Sequence, residues 1–104
     1  MSKKVGFFSE MKFNDNCGSA ADYIVSDVTY DKKKIIAYLE KGKRIAGCPR
    51  TSIDCITGEQ LSSSFSVYSD GEYDWCDFLP YHIKKYNIKL PKEFIEKIEE
   101  SYCN

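Results

Sequence analysis

The segment that decides the fold is Phe65-Ser-Val-Tyr-Ser-Asp-Gly-Glu-Tyr-Asp-Trp75. Each half alternates in side-chain character, as strands do, because successive side chains point to opposite faces of a sheet. Between the halves lies Asp70-Gly71, a signal for a two-residue turn, since a type I′ turn needs positive φ at both central residues. The sequence therefore predicts a β-hairpin that turns at Asp70-Gly71.

The alternation also predicts which hairpin side chains are buried. Tyr73 and Trp75 share one face of the returning strand, and Glu72 and Asp74 share the other. A lone Trp next to a Tyr on a strand face is typical of a core position. We therefore expect the aromatic face to be buried and the acidic face to meet solvent.

Helical signals lie on both sides of the hairpin. Before the hairpin, the sequence predicts a strand over 5–13, a loop over 14–18 and a short helix over 19–25 capped by Ser19. A helix capped by Asp31, with Gly42 at its C-cap, follows, and then β-like runs over 43–48 and 52–56 with a turn at Thr57-Gly58. After the hairpin, it predicts a helix from Asp77 to Tyr86 with Pro80 in its first turn, and a last helix from Pro91. The order predicts an α+β fold, a small antiparallel sheet packed against about four short helices.

Each predicted helix carries an apolar stripe that should face the core. The stripes are Ile35, Ile36 and Leu39 in one helix, Leu79, Ile83 and Tyr86 in the next, and Phe94, Ile95 and Ile98 in the last. The last helix also offers two surface ion pairs at i,i+4 spacing, Lys92 with Glu96 and Glu93 with Lys97.

The chain of 104 residues is short enough to form one domain, 1–104, without internal repeats or linkers. Its first apolar run, Val5 to Phe8, is too short for a signal peptide, and no run could cross a membrane. We therefore expect a cytoplasmic protein whose five cysteines are reduced thiols, because it would not be exported. The odd number of cysteines also argues against a complete disulfide framework.

Charge is distributed unevenly along a chain whose net charge is −1. Between residues 54 and 77 there is no Lys or Arg, and the acids of this stretch are Asp54, Glu59, Asp70, Glu72, Asp74 and Asp77. A basic surface for nucleic acid is not indicated at the level of the whole chain. We interpret the acidic stretch as a binding surface for a basic protein partner. Its negative charge would attract such a partner and increase the rate of encounter.

The residue patterns that usually mark catalysis or metal binding are weak. There is no Cys-x-x-Cys pair, although Cys55, Cys76 and His82 could meet in space. On one helix Cys76 and His82 would not contact each other, because contact needs a spacing of three or four. Glu72 and Asp74 lack the cleft that tunes catalytic carboxylates, and no phosphate-binding loop is present. We predict no catalytic residue, no metal site and no cofactor.

Two segments resemble a group of small bacterial proteins encoded beside polymorphic or contact-dependent growth inhibition toxins, which are taken to be immunity proteins. The segments are Tyr68 to Trp75 continuing through Leu79 to Ile95, and the helix–Gly–strand stretch from Ile35 to Ile45. The resemblance covers about two-thirds of the chain and does not include the first thirty residues. It implies a shared fold, and a role in neutralising a toxin by direct binding.

Three functions follow as expectations. The first is a non-catalytic immunity protein, monomeric or a weak homodimer, that binds a basic toxin domain through its acidic stretch without membrane or nucleic acid. The second is a structural or regulatory adaptor that associates through Tyr and Phe side chains. The third is a thiol-dependent enzyme, which would need a cysteine of strongly depressed pKa.

Overall fold

The computed structural model describes residues 3–11 and 18–102 and has an α+β architecture. Its strands are β1 Lys3–Lys4, β2 Lys43–Cys48, β3 Ser52–Ile53, β4 Gln60–Ser62, β5 Phe65–Ser69 and β6 Tyr73–Cys76. Its α-helices are α1 Lys32–Glu40, α2 Leu79–Lys85 and α3 Lys92–Tyr102, and two 3₁₀ helices span Ser9–Met11 and Ala20–Tyr23. The described part thus has three α-helices rather than the predicted number of about four short helices.

The main sheet has four strands in the order β1-β6-β5-β2. The neighbours β6 and β5, and β5 and β2, are antiparallel, as predicted. The first strand, β1, lies parallel to β6, so the sheet is mixed. Strands β3 and β4 form a separate two-stranded sheet.

The hairpin is confirmed, but its turn lies one residue later than predicted at Asp70-Gly71. The backbone N–H of Asp70 donates to the carbonyl of Tyr73 at 3.2 Å, which places Gly71 and Glu72 at the centre of the turn. Gly71 has φ of 98°, and a glycine with positive φ suits the first central position of a type II′ turn. The Asp70 carboxylate accepts from the N–H groups of Glu72 and Tyr73, at 2.9 and 2.7 Å.

Trp75 lies at the centre of the core, as the alternation predicts. Its side chain is completely buried, and its indole N–H donates to the carbonyl of Leu39 at 3.1 Å. The rings of Tyr38 and Phe94 lie 6.2 and 5.8 Å from the indole. One side chain of β6 therefore contacts both α1 and α3.

Helix α1 begins and ends near the predicted residues. The side chain of Asp31 caps it by accepting from the N–H groups of Lys33 and Lys34. Gly42 follows the C-cap residue Lys41, but it does not adopt the left-handed conformation of a glycine cap. It is needed for packing, because a Cβ at Gly42 would lie 2.5 Å from Cζ2 of Trp75.

Helix α2 begins later than predicted, because Asp77 still belongs to the hairpin. The N–H of Asp77 donates to the carbonyl of Ser66, and its carboxylate accepts from the N–H of Ser66 at 3.0 Å. Phe78 is the N-cap residue and makes no side-chain cap. Pro80 lies in the first turn of α2, as predicted, and both Leu79 and Ile83 are completely buried.

Most of the other differences lie near the N-terminus. The predicted strand over 5–13 is wrong, because Val5 to Phe8 are buried without forming a strand and a 3₁₀ helix follows. Residues 12–17, which include most of the predicted loop, lie outside the described residues. Ser19 caps the 3₁₀ helix Ala20–Tyr23 by accepting from the N–H of Ala21.

The β-like runs and the surface pairs of α3 have mixed outcomes. The run over 43–48 is confirmed as β2, whereas the run over 52–56 shrinks to β3. Lys92 approaches Glu96 to 3.9 Å, as predicted. The predicted pair of Glu93 with Lys97 is wrong, because Lys97 instead contacts the hairpin turn.

The contact between Gly42 and Trp75 gives a direct test of this packing. Gly42→Ala should lower the free energy of unfolding by about 2 kcal/mol, because the added Cβ would lie 2.5 Å from the buried indole and something in the core must shift. Urea denaturation followed by Trp75 fluorescence measures the change.

Gly47→Ala is the matched control. A Cβ at Gly47 would meet only the guanidinium of Arg44, at 2.4 Å, and the far end of that exposed side chain can move away. A loss of stability at Gly47 equal to the loss at Gly42 would contradict the assignment.

Candidate functional site

The six acids of the predicted binding surface lie in two parts of the fold. Asp54 and Glu59 lie at the two ends of the β3–β4 connection, where the N–H of Asp54 donates to the carbonyl of Glu59. The other four lie on or next to the hairpin turn and β6. Glu59, Glu72 and Asp77 are exposed, Asp70 and Asp74 are half-buried, and Asp54 is completely buried.

The acidic stretch contains no base in sequence, but a base reaches it in space. The ammonium of Lys97, from α3, lies 3.1 Å from carboxylate oxygens of both Asp70 and Glu72. Burial would lower the pKa of Lys97, but these two carboxylates outweigh burial and raise it. Lys97 is therefore a fixed cation that orders the turn and neutralises part of its charge.

Asp70 holds the turn in place rather than facing a partner. Besides the two backbone N–H groups of the turn, it accepts from the hydroxyl of Tyr38 at 2.6 Å. Burial would raise the pKa of Asp70, but these hydrogen bonds and that of Lys97 hold it below its usual value. The exposed carboxylate of the turn is that of Glu72, whose side chain is 54% exposed.

Asp54 is the centre of a buried polar cluster. Its carboxylate accepts from the hydroxyls of Tyr81 and Tyr86, each at 2.8 Å, and from the ammonium of Lys85 at 3.3 Å. It also accepts from the N–H groups two and three residues along the chain, at 2.9 and 3.1 Å. Burial would raise the pKa of Asp54, but these hydrogen bonds hold it well below its usual value.

The Asp54 cluster connects a loop to a helix. Tyr81, Lys85 and Tyr86 all belong to α2 or its C-cap, whereas Asp54 begins the turn that leads to Gly58. Sequence reasoning placed Asp54 in the binding surface and did not find these partners. Two signals were available: an Asp three residues before Thr57-Gly58 favours a side-chain-capped turn, and Tyr81 and Lys85 stand at i,i+4 spacing.

His82 is buried and has a partner at each ring nitrogen. Nδ1 lies 2.8 Å from the carbonyl of Phe78, and Nε2 accepts from the N–H of Cys55 at 3.0 Å. Since a carbonyl only accepts and a backbone N–H only donates, the proton must be on Nδ1 and the ring must be neutral. Burial lowers the pKa of His82 from 6.5, although the Phe78 carbonyl and the carboxylates of Asp54 and Glu10 act in the opposite direction.

The described cysteines do not have the surroundings of reactive thiols. Burial raises the pKa of Cys55 to about 12, and the carboxylates of Glu10 and Asp54 act in the same direction. Burial, with Asp77 nearby, also raises the pKa of Cys76. These shifts disfavour the thiolate, which is the form that attacks substrates and binds metals. No disulfide joins Cys48, Cys55 and Cys76, and the remaining two cysteines lie outside the described residues.

Over residues 3–11 and 18–102, no group of three His, Cys, Asp or Glu side chains is arranged to hold a metal ion. Within the same ranges, every helix is too short or too polar to cross a membrane. Cys55 and His82 do contact each other, but through a hydrogen bond from the backbone N–H of Cys55 to Nε2 of His82 and not through the thiol.

A surface depression of about 640 Å³ lies next to the hairpin turn. It is bounded by the C-terminal end of α1, the start of β2 and the turn itself. The side chains and backbone that line it include Tyr38, Gly42, Ile45, Ser69 and Gly71. It is open to solvent, so it suits a projecting side chain of a partner better than an enclosed small molecule.

Comparison with protein-family models, with curated proteins and with solved structures found no match to this chain.

The neutral His82 predicts a specific dependence of stability on pH. The unfolded chain binds a proton at this imidazole below about pH 6.5, whereas the folded chain resists it. The contribution of His82 to the free energy of unfolding should therefore be fully present above this pH. It should decrease as the pH falls towards 5, by at most about 1.4 kcal/mol per pH unit. Urea denaturation at several pH values measures the slope.

The control for the pH dependence uses the fact that His82 is the only histidine in the chain. His82→Gln should flatten the slope between about pH 5 and 6.5, whatever its effect on stability at neutral pH. A folded-state NMR titration of His82 with a midpoint above 6.5 would contradict the assignment.

Asp54→Asn tests whether the buried cluster is structural. The amide cannot accept from both tyrosine hydroxyls and the ammonium, so the free energy of unfolding should fall by about 3 kcal/mol. Glu59→Gln makes the same change of charge at the exposed end of the same loop and should have little effect. Equal stability of the two variants in thermal denaturation would show that Asp54 does not hold the loop.

Proposed function

We propose that this chain is a non-catalytic protein-binding module, an immunity protein that neutralises a bacterial toxin by binding its basic domain. The observation that carries the proposal is the hairpin turn, which Tyr38 of α1 and Lys97 of α3 hold in place and which presents an exposed carboxylate at Glu72. The resemblance of residues 35–45 and 68–95 to immunity proteins points to the same class of function.

The support from geometry is the rigidity of the turn. Asp70 is held by Tyr38 of α1 and by Lys97 of α3, and it in turn accepts from two backbone N–H groups of the turn. A surface that is already ordered loses less conformational entropy when it binds. The turn can therefore present Glu72 to a partner at low entropic cost.

The electrostatic support comes from the exposed acids. Glu59, Glu72 and Asp77 are all solvent-exposed. Toxins that cut nucleic acid carry basic surfaces, because they must bind phosphate groups. An acidic inhibitor accelerates its encounter with such a toxin and competes for the same basic residues.

A binding role is favoured over catalysis by the state of the usual catalytic groups. His82 uses both ring nitrogens in hydrogen bonds to backbone groups, so it has no free position for proton transfer. Cys55 and Cys76 have raised pKa values. The carboxylate with the most strongly lowered pKa, that of Asp54, is buried beneath two tyrosines and a lysine.

The test changes the exposed acids and leaves Asp54 and Asp70 unchanged, because these two have the most hydrogen bonds to the rest of the fold. Asp77→Asn keeps a side-chain oxygen that can accept from the N–H of Ser66. We expect the combined variant Glu59→Gln, Glu72→Gln, Asp77→Asn to remain folded and to bind the toxin domain at least about tenfold more weakly at low salt. The domain to test is the C-terminal domain of any secreted protein found to be encoded directly upstream of this chain. Calorimetric titration measures affinity, and growth of cells that express the toxin domain measures protection.

The matched control changes three exposed acids elsewhere, in α1 and α3: Glu40→Gln, Glu93→Gln and Glu99→Gln. It alters the net charge by the same amount and should keep both affinity and protection. The proposed surface is wrong if both variants bind equally well. The proposed function is wrong if the unmodified chain neither binds the domain nor protects the cells.

A further inference from the structure

We propose that the outer edge of β2 binds an extended, acidic segment of another protein, which adds to the main sheet as a further strand. This surface lies beside the hairpin turn but on a different segment of the chain from Glu59, Glu72 and Asp77, the exposed acids of the proposed function, and the inference does not depend on that function.

The first observation is that β2 is an edge strand with exposed residues. It stands last in the order β1-β6-β5-β2 and pairs with β5 alone among the described strands. Residues 43–47 are exposed and Cys48 is half-buried. In an edge strand, backbone N–H and C=O groups of alternate residues point away from the sheet, where another strand can bind them.

The second observation is an irregularity in the middle of β2. The register shifts between Arg44 and Ala46, so Ile45 has no partner residue in β5. Its side chain is 51% exposed, an unusual position for a large apolar residue, and it lines the depression beside the hairpin turn. An added strand would cover Ile45 and could place one side chain in that depression.

The third observation is charge, which selects the kind of segment. The chain carries no Asp or Glu between Glu40 and Asp54, and its bases there are Lys41, Lys43, Arg44 and Arg50. The acid that lines the depression, Asp70, is already paired with Lys97. Asp77 lies close enough to Arg44 to feel its charge, so Arg44 is partly compensated, but residues 41–53 carry four bases and no acid.

These same features argue against a second copy of the chain as the occupant. Pairing two β2 edges would bring two basic segments together, and charged residues on an edge strand discourage such pairing. A segment rich in Glu would be attracted to the bases of the β2 edge, whereas a second copy would bring bases that repel them. The occupant that fits is therefore an acidic strand from a different protein.

The probe is a short peptide of alternating Glu and Val, blocked at both ends and titrated into the folded, isotope-labelled chain. We expect amide shifts in the NMR spectrum to concentrate at residues 43–48, with binding that weakens as salt is raised. A peptide with Lys in place of Glu should bind at least about tenfold more weakly. The Glu peptide with alternate backbone nitrogens methylated should also bind at least about tenfold more weakly, because it cannot donate to the edge.

Variants of the chain separate charge at the edge from charge in general. Lys43→Glu should weaken binding of the Glu peptide about tenfold and strengthen binding of the Lys peptide. Lys33→Glu makes the same change of charge at an exposed position in the first turn of α1 and should leave both affinities unchanged. Circular dichroism and thermal denaturation confirm that both variants fold.

Three results would overturn the proposal. One is the absence of shifts at residues 43–48 at millimolar peptide. Another is equal binding of the methylated and unmethylated peptides. The third is a dimer in sedimentation that protects the β2 amides without any peptide. None of these results bears on the hairpin variants above, so the two proposals fail independently.

Discussion

The burial of Trp75 is the constraint on which the rest of the main sheet depends. The indole fills the space between β6, α1 and α3, and its N–H satisfies the carbonyl of Leu39 near the end of α1. The chain leaves α1 through Gly42, because a larger residue there would overlap the indole. The position of β2, and hence of its exposed edge, follows from that close approach.

The parts of the fold that sequence predicts correctly are those governed by local chemistry. Asp31 caps α1, Pro91 precedes α3, and the alternation around Trp75 places the aromatic face inward, because each signal acts within a few residues. The parallel strand β1 and the start of α2 were missed. β1 has only two residues and is stabilised by β6, some seventy positions away, and Asp77 pairs with Ser66 instead of capping a helix.

The candidate site shows the same division between local and distant effects. Sequence identifies the acids but not what they contact, so Asp54 and Asp70 looked equivalent to Glu72. In the fold, Asp54 is covered by α2 and Asp70 is held by Tyr38 and Lys97. Neither partner set is visible in the stretch from 54 to 77. Of the six acids, Glu59, Glu72 and Asp77 are the ones that remain exposed.

Carboxylate footprinting with the toxin domain that the proposed function requires is the most direct test of the hairpin as a binding surface. A carbodiimide and an amine label accessible Asp and Glu side chains, and mass spectrometry locates the labels with and without the toxin domain. We expect the toxin domain to protect Glu72 and Asp77 from labelling. Glu93 and Glu99 of α3 should be labelled equally with and without it. Protection of the α3 acids, with Glu72 and Asp77 labelled as fully as in the free chain, would contradict this expectation.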